Sequence, residues 1–164
     1  PDARVAFSDA VHGVQTPDLA ALVGDFTVWT KRAVPAYQLA GVVDDHRQGV
    51  TQVVRGDDLL DSAARQLLLY RALGLGPEPA YTHLPLVRGP DGKRLAKRHG
   101  DSRVDGYRES GVTPERLIGL LAGWSGLPRG PMSAAEFRDA FDLAALPTTS
   151  VVFSAQDDAW LRSS

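Results

Sequence analysis

The feature that most constrains the fold is the order in which two periodicities alternate between residues 34 and 87. "VPAYQLAGVVDDHRQG" (34–49) places Ala36, Leu39, Ala40 and Val43 at i, i+3, i+4 and i+7, one face of a helix. "VTQVVRG" (50–56) is short, β-branched and ended by Gly56, the pattern of a strand. "DDLLDSAARQLLLYRALG" (57–74) returns to helical spacing through Leu60, Ala64, Leu67 and Leu68, with Gly74 as its stop. "YTHLPLV" (81–87) reads as another strand. Strands separated by helices bury both faces when the helices cover a parallel sheet, so the expected class is α/β. Upstream, "VAFSDAVHGVQ" (5–15) and "DFTVWT" (25–30) also read as strands, from their β-branched and aromatic content.

The last third has a different grammar. Thr113-Pro114-Glu115 supplies an N-cap, a proline at the first helical position and a first-turn acid, followed by Leu117, Leu120, Leu121 and Trp124 at helical spacing. Ser133 and Glu136 form a capping box ahead of Phe137, Ala140 and Phe141. Pro147 is expected to end that helix and leave a short tail to Ser164. Two regions are therefore expected: an α/β region over 1–100 and a small helical region over 101–164.

Composition removes several functional classes. With 43% apolar and 23% charged residues the chain is a folded protein, and no apolar run approaches the ~20 residues of a membrane span, so no membrane partner is expected. The absence of cysteine excludes disulfides and thiolate metal sites, and agrees with a cytoplasmic location. A net charge of −2 and a pI near 6.1 speak against a general nucleic-acid coat protein. Against that background "RLAKRHG" (94–100) gathers Arg94, Lys97, Arg98 and His99 directly after the turn Gly89-Pro90-Asp91-Gly92. Such a loop fits a solvated surface, a nucleic-acid patch or an arm that meets nucleotide phosphates. The adjacent Asp44 and Asp45 point apart on a helix and read as a solvated pair. His83 and His99 read as structural or loop residues, and Trp124 as core.

Two stretches give the basic loop a context. "AYQLAGVVDDHRQGVTQVVRGDDLL" (36–60) and "YTHLPLVRGPDGKRLAKRHG" (81–100), in this order and at this separation, resemble the catalytic core of class I glutamyl-tRNA synthetases. The likeness spans roughly residues 5 to 125, and "RLAKR" stands where that family has its K-M-S-K-S signature loop. Tyr37-Gln38-Leu39, and the 64 residues that follow Gly100, resemble the glutamyl-queuosine tRNA(Asp) branch more than full-length glutamyl-tRNA synthetases. The resemblance implies the second half of a Rossmann-like catalytic core followed by a small helical C-terminal region. The family's H-I-G-H element does not occur in the 164 residues. The chain is therefore expected to be the C-terminal part of a synthetase, and by itself not to form glutamyl-adenylate.

The resemblance also implies chemistry and residues. ATP, accompanied by Mg2+, would activate glutamate, which would then pass to the queuosine base of tRNA(Asp). The alternatives are a truncated ordinary glutamyl-tRNA synthetase and a non-catalytic remnant that binds tRNA or a partner. Lys97 matches the second lysine of the signature and is the expected catalytic and ATP-binding cation. Arg94 replaces the first lysine and is also assigned to ATP, while Ala96 replaces the signature serine. Tyr37 and Arg55 match the glutamate-binding tyrosine and arginine. Taken without the resemblance, they would more often be a packing tyrosine and a salt bridge to Asp57 or Asp58. Leu84 and Leu86 flank the His-Leu-Pro turn, whose backbone is assigned to adenine. Without cysteines, zinc is not expected.

Overall fold

Strands β3 (Gln52–Gly56) and β4 (Ala80–Leu84) run parallel, paired from Gln52 opposite Ala80 to Gly56 opposite Leu84. They belong to a computed structural model that describes residues 4–95 and 103–163. The chain divides into two units, Pro1–Leu84 and Pro85–Ser164. The expected boundary at 100/101 falls among residues outside the described set.

In the first unit, β1 (Phe7–Asp9) pairs parallel to β4 and antiparallel to β2 (Gly13–Gln15), giving the sheet order β2-β1-β4-β3. The helix α3 (Leu60–Ala72) connects β3 to β4, the crossover that parallel strands require. Ala63, Ala64 and Leu67 of α3 form the core with Val5, Leu19 and Tyr81. Helix α2 (Tyr37–Gln48) packs on α3 and ends at Gly49, whose φ of 68° is the left-handed conformation that glycine adopts without a Cβ penalty.

Several expectations change here, each for a physical reason. Residues 5–15 are not one strand. Asp9 Oδ1 accepts from the N–H groups of Val11 and His12, both at 3.0 Å, and this aspartate turn folds the segment into the β1–β2 hairpin. Residues 25–30 do not join the sheet. Their backbone bonds close locally, Thr30 N–H to Val34 O and Ala36 N–H to Val28 O, around a turn bridged by Trp29 and Pro35. The inward helix faces differ in part from the spacing. In α2 the buried residue is Val42, while Ala36, Leu39, Ala40 and Val43 are half-buried. In α3 Ala64 and Leu67 face inward as the spacing predicts, whereas Leu68 is exposed and Ala63 and Tyr70 are buried too. A helix carrying three successive leucines offers more than one apolar face, so spacing alone leaves its phase partly open. A helix α1 (Leu19–Leu22), capped by Asp18, was not foreseen.

In the second unit, Pro85 separates β4 from β5 (Val87–Arg88), because proline has no N–H to extend a ladder. The strand expected over 81–87 is therefore two. β5 pairs parallel with β6 (Val151–Val152). Helix α4 (Val104–Glu109) precedes α5 (Pro114–Trp124), which begins at Thr113 with Pro114 inside its first turn, as expected. Helix α6 (Ala134–Ala140) carries the expected capping box: Glu136 N–H donates to Ser133 Oγ, and Ser133 N–H to Glu136 Oε2. It ends before Pro147, where Phe141 turns extended and Asp142 caps a short 3-10 turn. The tail is not plain coil. Ser154 and Asp157 make a second capping box that starts α7 (Ala155–Arg162). Leu161 then completes a core with Tyr107, Val112 and Leu120, against which Trp124 packs. Among the described residues no helix is long and apolar enough to cross a membrane.

Candidate active site

Arg55 is the next-to-last residue of β3 and pairs in register with His83 of β4, at the carboxyl ends of two parallel strands. Open α/β sheets place ligands at such ends. Its guanidinium is held at every nitrogen. Nε–H donates to His83 Nε2 at 3.0 Å, Nη1 to Gln66 Oε1 at 2.9 Å, and Nη2 to the Leu59 carbonyl at 3.3 Å. The guanidinium carbon lies 5.5 Å from the centre of the Tyr81 ring, a cation–π distance.

These contacts define the state of His83, which is wholly buried. An arginine N–H only donates, so His83 Nε2 must accept and the ring proton must sit on Nδ1. Nδ1 lies 2.7 Å from Asp9 Oδ2, to which it donates. Asp9 is 3% exposed and accepts from the backbone N–H of His83 as well as from the turn amides. Burial pushes the Asp9 carboxyl upward. The bonds from His12 N–H, the His83 ring, Val11 N–H and His83 N–H outweigh that effect and hold its pKa below the ordinary carboxylate range. The result is a buried chain from the Asp9 carboxylate through a neutral imidazole to the Arg55 cation.

Tyr37, the first residue of α2, is 60% exposed. The same end of α2 is tied to α3, where Gln38 Nε2 donates to Ser62 Oγ at 3.1 Å. At Gly41 a Cβ would stand 3.6 Å from Nε2 of Gln66, the residue that accepts from Arg55. Leu84 lies opposite Gly56, one position beyond Arg55, at the same strand end. Tyr37, Arg55 and Leu84 therefore belong to one unit, with α3 linking the first two.

Leu86 and Arg94 belong to the second unit. Leu86 is buried, and its carbonyl accepts from Val151 N–H of β6 at 3.0 Å. Arg94 is exposed at the end of a hairpin that starts in β5. Arg88 bridges Arg94, Gly89 N–H donates to the Lys93 carbonyl, and Gly92 turns at a φ of 72°. Lys97, with Ala96, Arg98, His99 and Gly100, lies outside the described residues. In the same unit an apolar cavity of about 420 Å³ is lined by Leu95, Val104, Leu117, Leu121, Trp124 and Phe153, among others. It presents little that would bind a phosphate. Among the described residues no three His, Asp or Glu side chains converge as a metal site.

Sequence reasoning missed Asp9 and Gln66 and treated His83 only as structural. Asp9 and His83 are 74 positions apart, so no local pattern joins them. The one available signal was the pairing of two strands at whose ends both lie.

Comparison with known proteins shows the family and the fold. The family described as "tRNA synthetases class I (E and Q), catalytic domain" matches residues 2–157. A glutamyl-Q tRNA(Asp) synthetase of Symbiobacterium thermophilum is 50% identical over 164 residues, covering 98% of this chain and 50% of that protein. A glutamate–tRNA ligase of Rubrobacter xylanophilus is 46% identical over 127 residues, covering 76% of this chain and 28% of that protein. The crystal structure of a glutamate tRNA ligase from Elizabethkingia meningosepticum, in complex with its amino acid, superposes with a TM-score of 0.77 at 30% identity. That match covers 98% of this chain and 36% of the other. The chain spans about half the length of the curated glutamyl-Q relatives it matches, or less. With a matched family over nearly its whole length and a Rossmann-like parallel core, the chain belongs to the class I tRNA synthetases for glutamate and glutamine, in their catalytic domain.

Proposed function

We propose that the protein carrying this chain activates glutamate with ATP and transfers it to the queuosine base of tRNA(Asp), and that residues 1–100 contribute the end of its catalytic core. In the first step a glutamate carboxylate oxygen attacks the α-phosphorus of ATP. Pyrophosphate leaves with the electrons of the broken P–O bond, and glutamyl-adenylate forms. In the second step the acyl group passes to tRNA and AMP leaves. Mg2+ is read as part of the ATP substrate.

The observation that carries this reading is Arg55. A guanidinium has five N–H donors, and three are taken by His83, Gln66 and Leu59. Among the described residues one N–H stays on each terminal nitrogen, two donors on separate atoms, the number a carboxylate accepts. Tyr37, exposed on the helix joined to α3, supplies a phenolic hydroxyl for the same amino acid. Lys97 and Arg94 serve the phosphates, where negative charge builds between the α- and β-phosphorus and a fixed cation stabilises the transition state more than the ground state. Leu84 and Leu86 offer backbone groups to adenine.

The choice of acceptor rests on the likeness to glutamyl-Q tRNA(Asp) synthetases. The test uses the full-length protein, ATP and radiolabelled glutamate with three RNAs: tRNA(Asp) containing queuosine, the same tRNA without it, and tRNA(Glu). Label on the first alone is the expected result. Label on tRNA(Glu) would make the protein an ordinary glutamyl-tRNA synthetase, the reading that the glutamate–tRNA ligase relatives favour. Label on none, with no glutamate-driven pyrophosphate exchange, would refute both.

A further inference from the structure

We infer that Asp9 and His83 are positioning residues for Arg55: Asp9 sets the His83 tautomer, and His83 aims the guanidinium at the glutamate carboxylate. The inference rests on the reading of Arg55 given above and goes beyond it, because neither Asp9 nor His83 touches substrate.

The argument is one of donors and acceptors. Asp9 presents only acceptors to His83 Nδ1 at 2.7 Å, so the imidazole proton is drawn to Nδ1. Nε2 is then a lone pair, placed 3.0 Å from Arg55 Nε. With Nε engaged there, Arg55 has no side-on fork to offer, and the carboxylate must bind to the two terminal nitrogens. Gln66 and Leu59 hold those nitrogens from the α3 side, at 2.9 and 3.3 Å. His83 has no solvent-exposed surface and Asp9 is 3% exposed, so water competes little for these bonds. The stacking of His83 on Tyr81, with ring centroids 5.9 Å apart, fixes the imidazole plane.

Asp9→Asn separates the tautomer from the turn; the His83 backbone N–H, 3.1 Å from Oδ2, loses that acceptor and keeps Oδ1 at 3.3 Å. The amide oxygen still accepts from Val11 and His12 and keeps the turn. Its NH2 now faces His83 Nδ1, which must become the acceptor. The proton moves to Nε2, where it meets the Nε–H of Arg55, donor against donor. Arg55 has to turn away.

The experiment measures ring 15N shifts of His83 together with the KM for glutamate and for ATP in pyrophosphate exchange, on the full-length protein. Wild type is expected to carry the ring proton on Nδ1. Asp9→Asn should move it to Nε2 and raise the glutamate KM about tenfold, the scale of one charge-assisted hydrogen bond, with the ATP KM within about twofold. His83→Leu should act likewise. His83→Gln, which keeps an acceptor near the position of Nε2, should recover most of the loss. In the His83→Gln background Asp9→Asn should then have little effect, because no tautomer is left to set. The proposal falls if wild-type His83 is protonated at Nε2. It falls if Asp9→Asn raises both KM values alike, the mark of a purely structural role. It also falls if Asp9→Asn leaves both unchanged while Arg55→Ala raises the glutamate KM. Arg55→Ala leaving the glutamate KM unchanged is a separate result: it removes the carboxylate reading of Arg55 itself, and the positioning role with it.

Discussion

Replacing Gly119 by alanine sets two effects of opposite sign against each other. Alanine in a helix interior is favoured over glycine by about 1 kcal/mol, which would stabilise α5. A Cβ on Gly119, however, would stand 1.9 Å from the Gly130 carbonyl oxygen, 2.7 Å from its carbon and 3.3 Å from Pro131 N. All three are backbone atoms, so no side chain can rotate out of the way. The carbonyl would have to retreat by about 1.5 Å to reach the 3.4 Å at which ordinary contact begins. Forcing a methyl into such a contact costs about 1–3 kcal/mol or more, and a shift of this size belongs at the upper end. The clash wins, by about 2 kcal/mol. Gly41 is the control: its added Cβ would meet only Gln66 Nε2, at 3.6 Å, so helix propensity decides and Gly41→Ala is neutral or stabilising. Native-state hydrogen exchange on the full-length protein separates the two helices. The most protected α5 amides of Gly119→Ala should exchange about thirtyfold faster, the equivalent of 2 kcal/mol. The α2 amides of Gly41→Ala should exchange no faster than wild type. Unchanged or slower exchange in α5 would refute the close approach of α5 to the backbone at 130–131.

Two further outcomes follow from the signature loop and from acid. In the full-length protein Lys97→Ala should lower the turnover of adenylate formation more than it weakens ATP binding, because its contact strengthens as charge develops, and Arg98→Ala should cost less. Equal losses of tRNA affinity in both variants, with pyrophosphate exchange intact, would make the loop a nucleic-acid patch. Asp157 is 5% exposed, and although burial raises its pKa, bonds from Ser154 and the Arg129 cation at 2.6 Å hold it below the ordinary range. A depressed carboxyl means the unfolded chain binds more protons. Its stabilisation is therefore full above about pH 4 and lost as pH falls through the depressed folded value. Urea midpoints of wild type and Asp157→Asn should accordingly keep a constant gap down to about pH 4 and converge below it. A gap that stays constant below about pH 4 would show that Asp157 does not titrate as described.

How much of this was legible in the sequence depends on the range of the interaction. The β3–α3–β4 unit was readable because strand and helix periods are local. Helix phase was readable only in part: Ala64 and Leu67 face the core, but Leu67, Leu68 and Leu69 offer several faces and only contact with Val5 and Tyr81 turns Leu68 outward. Residues 25–30 had strand composition but no neighbouring strand, and composition does not supply a hydrogen-bond partner. α7 was missed although Ser154 and Asp157 write a capping box, with aspartate in place of the usual glutamate. At the site, Tyr37 and Arg55 stood out through a family resemblance, with the place of Arg55 at the carboxyl end of a strand in support; as isolated residues they read as packing and a salt bridge. The partners of Arg55 are a histidine on the neighbouring strand, a glutamine and a backbone carbonyl, so charge complementarity along the sequence pointed to Asp57 and Asp58 instead. Asp9 was the least visible residue of all. Locally it explains itself as the aspartate of a tight turn, and that explanation is correct. Its second carboxylate oxygen, however, reaches a histidine 74 positions away, and that bond exists only because β1 and β4 pair in parallel. One carboxylate thus meets two requirements through two atoms: Oδ1 closes the hairpin and Oδ2 accepts from the imidazole Nδ1–H. An amide can replace the first and not the second.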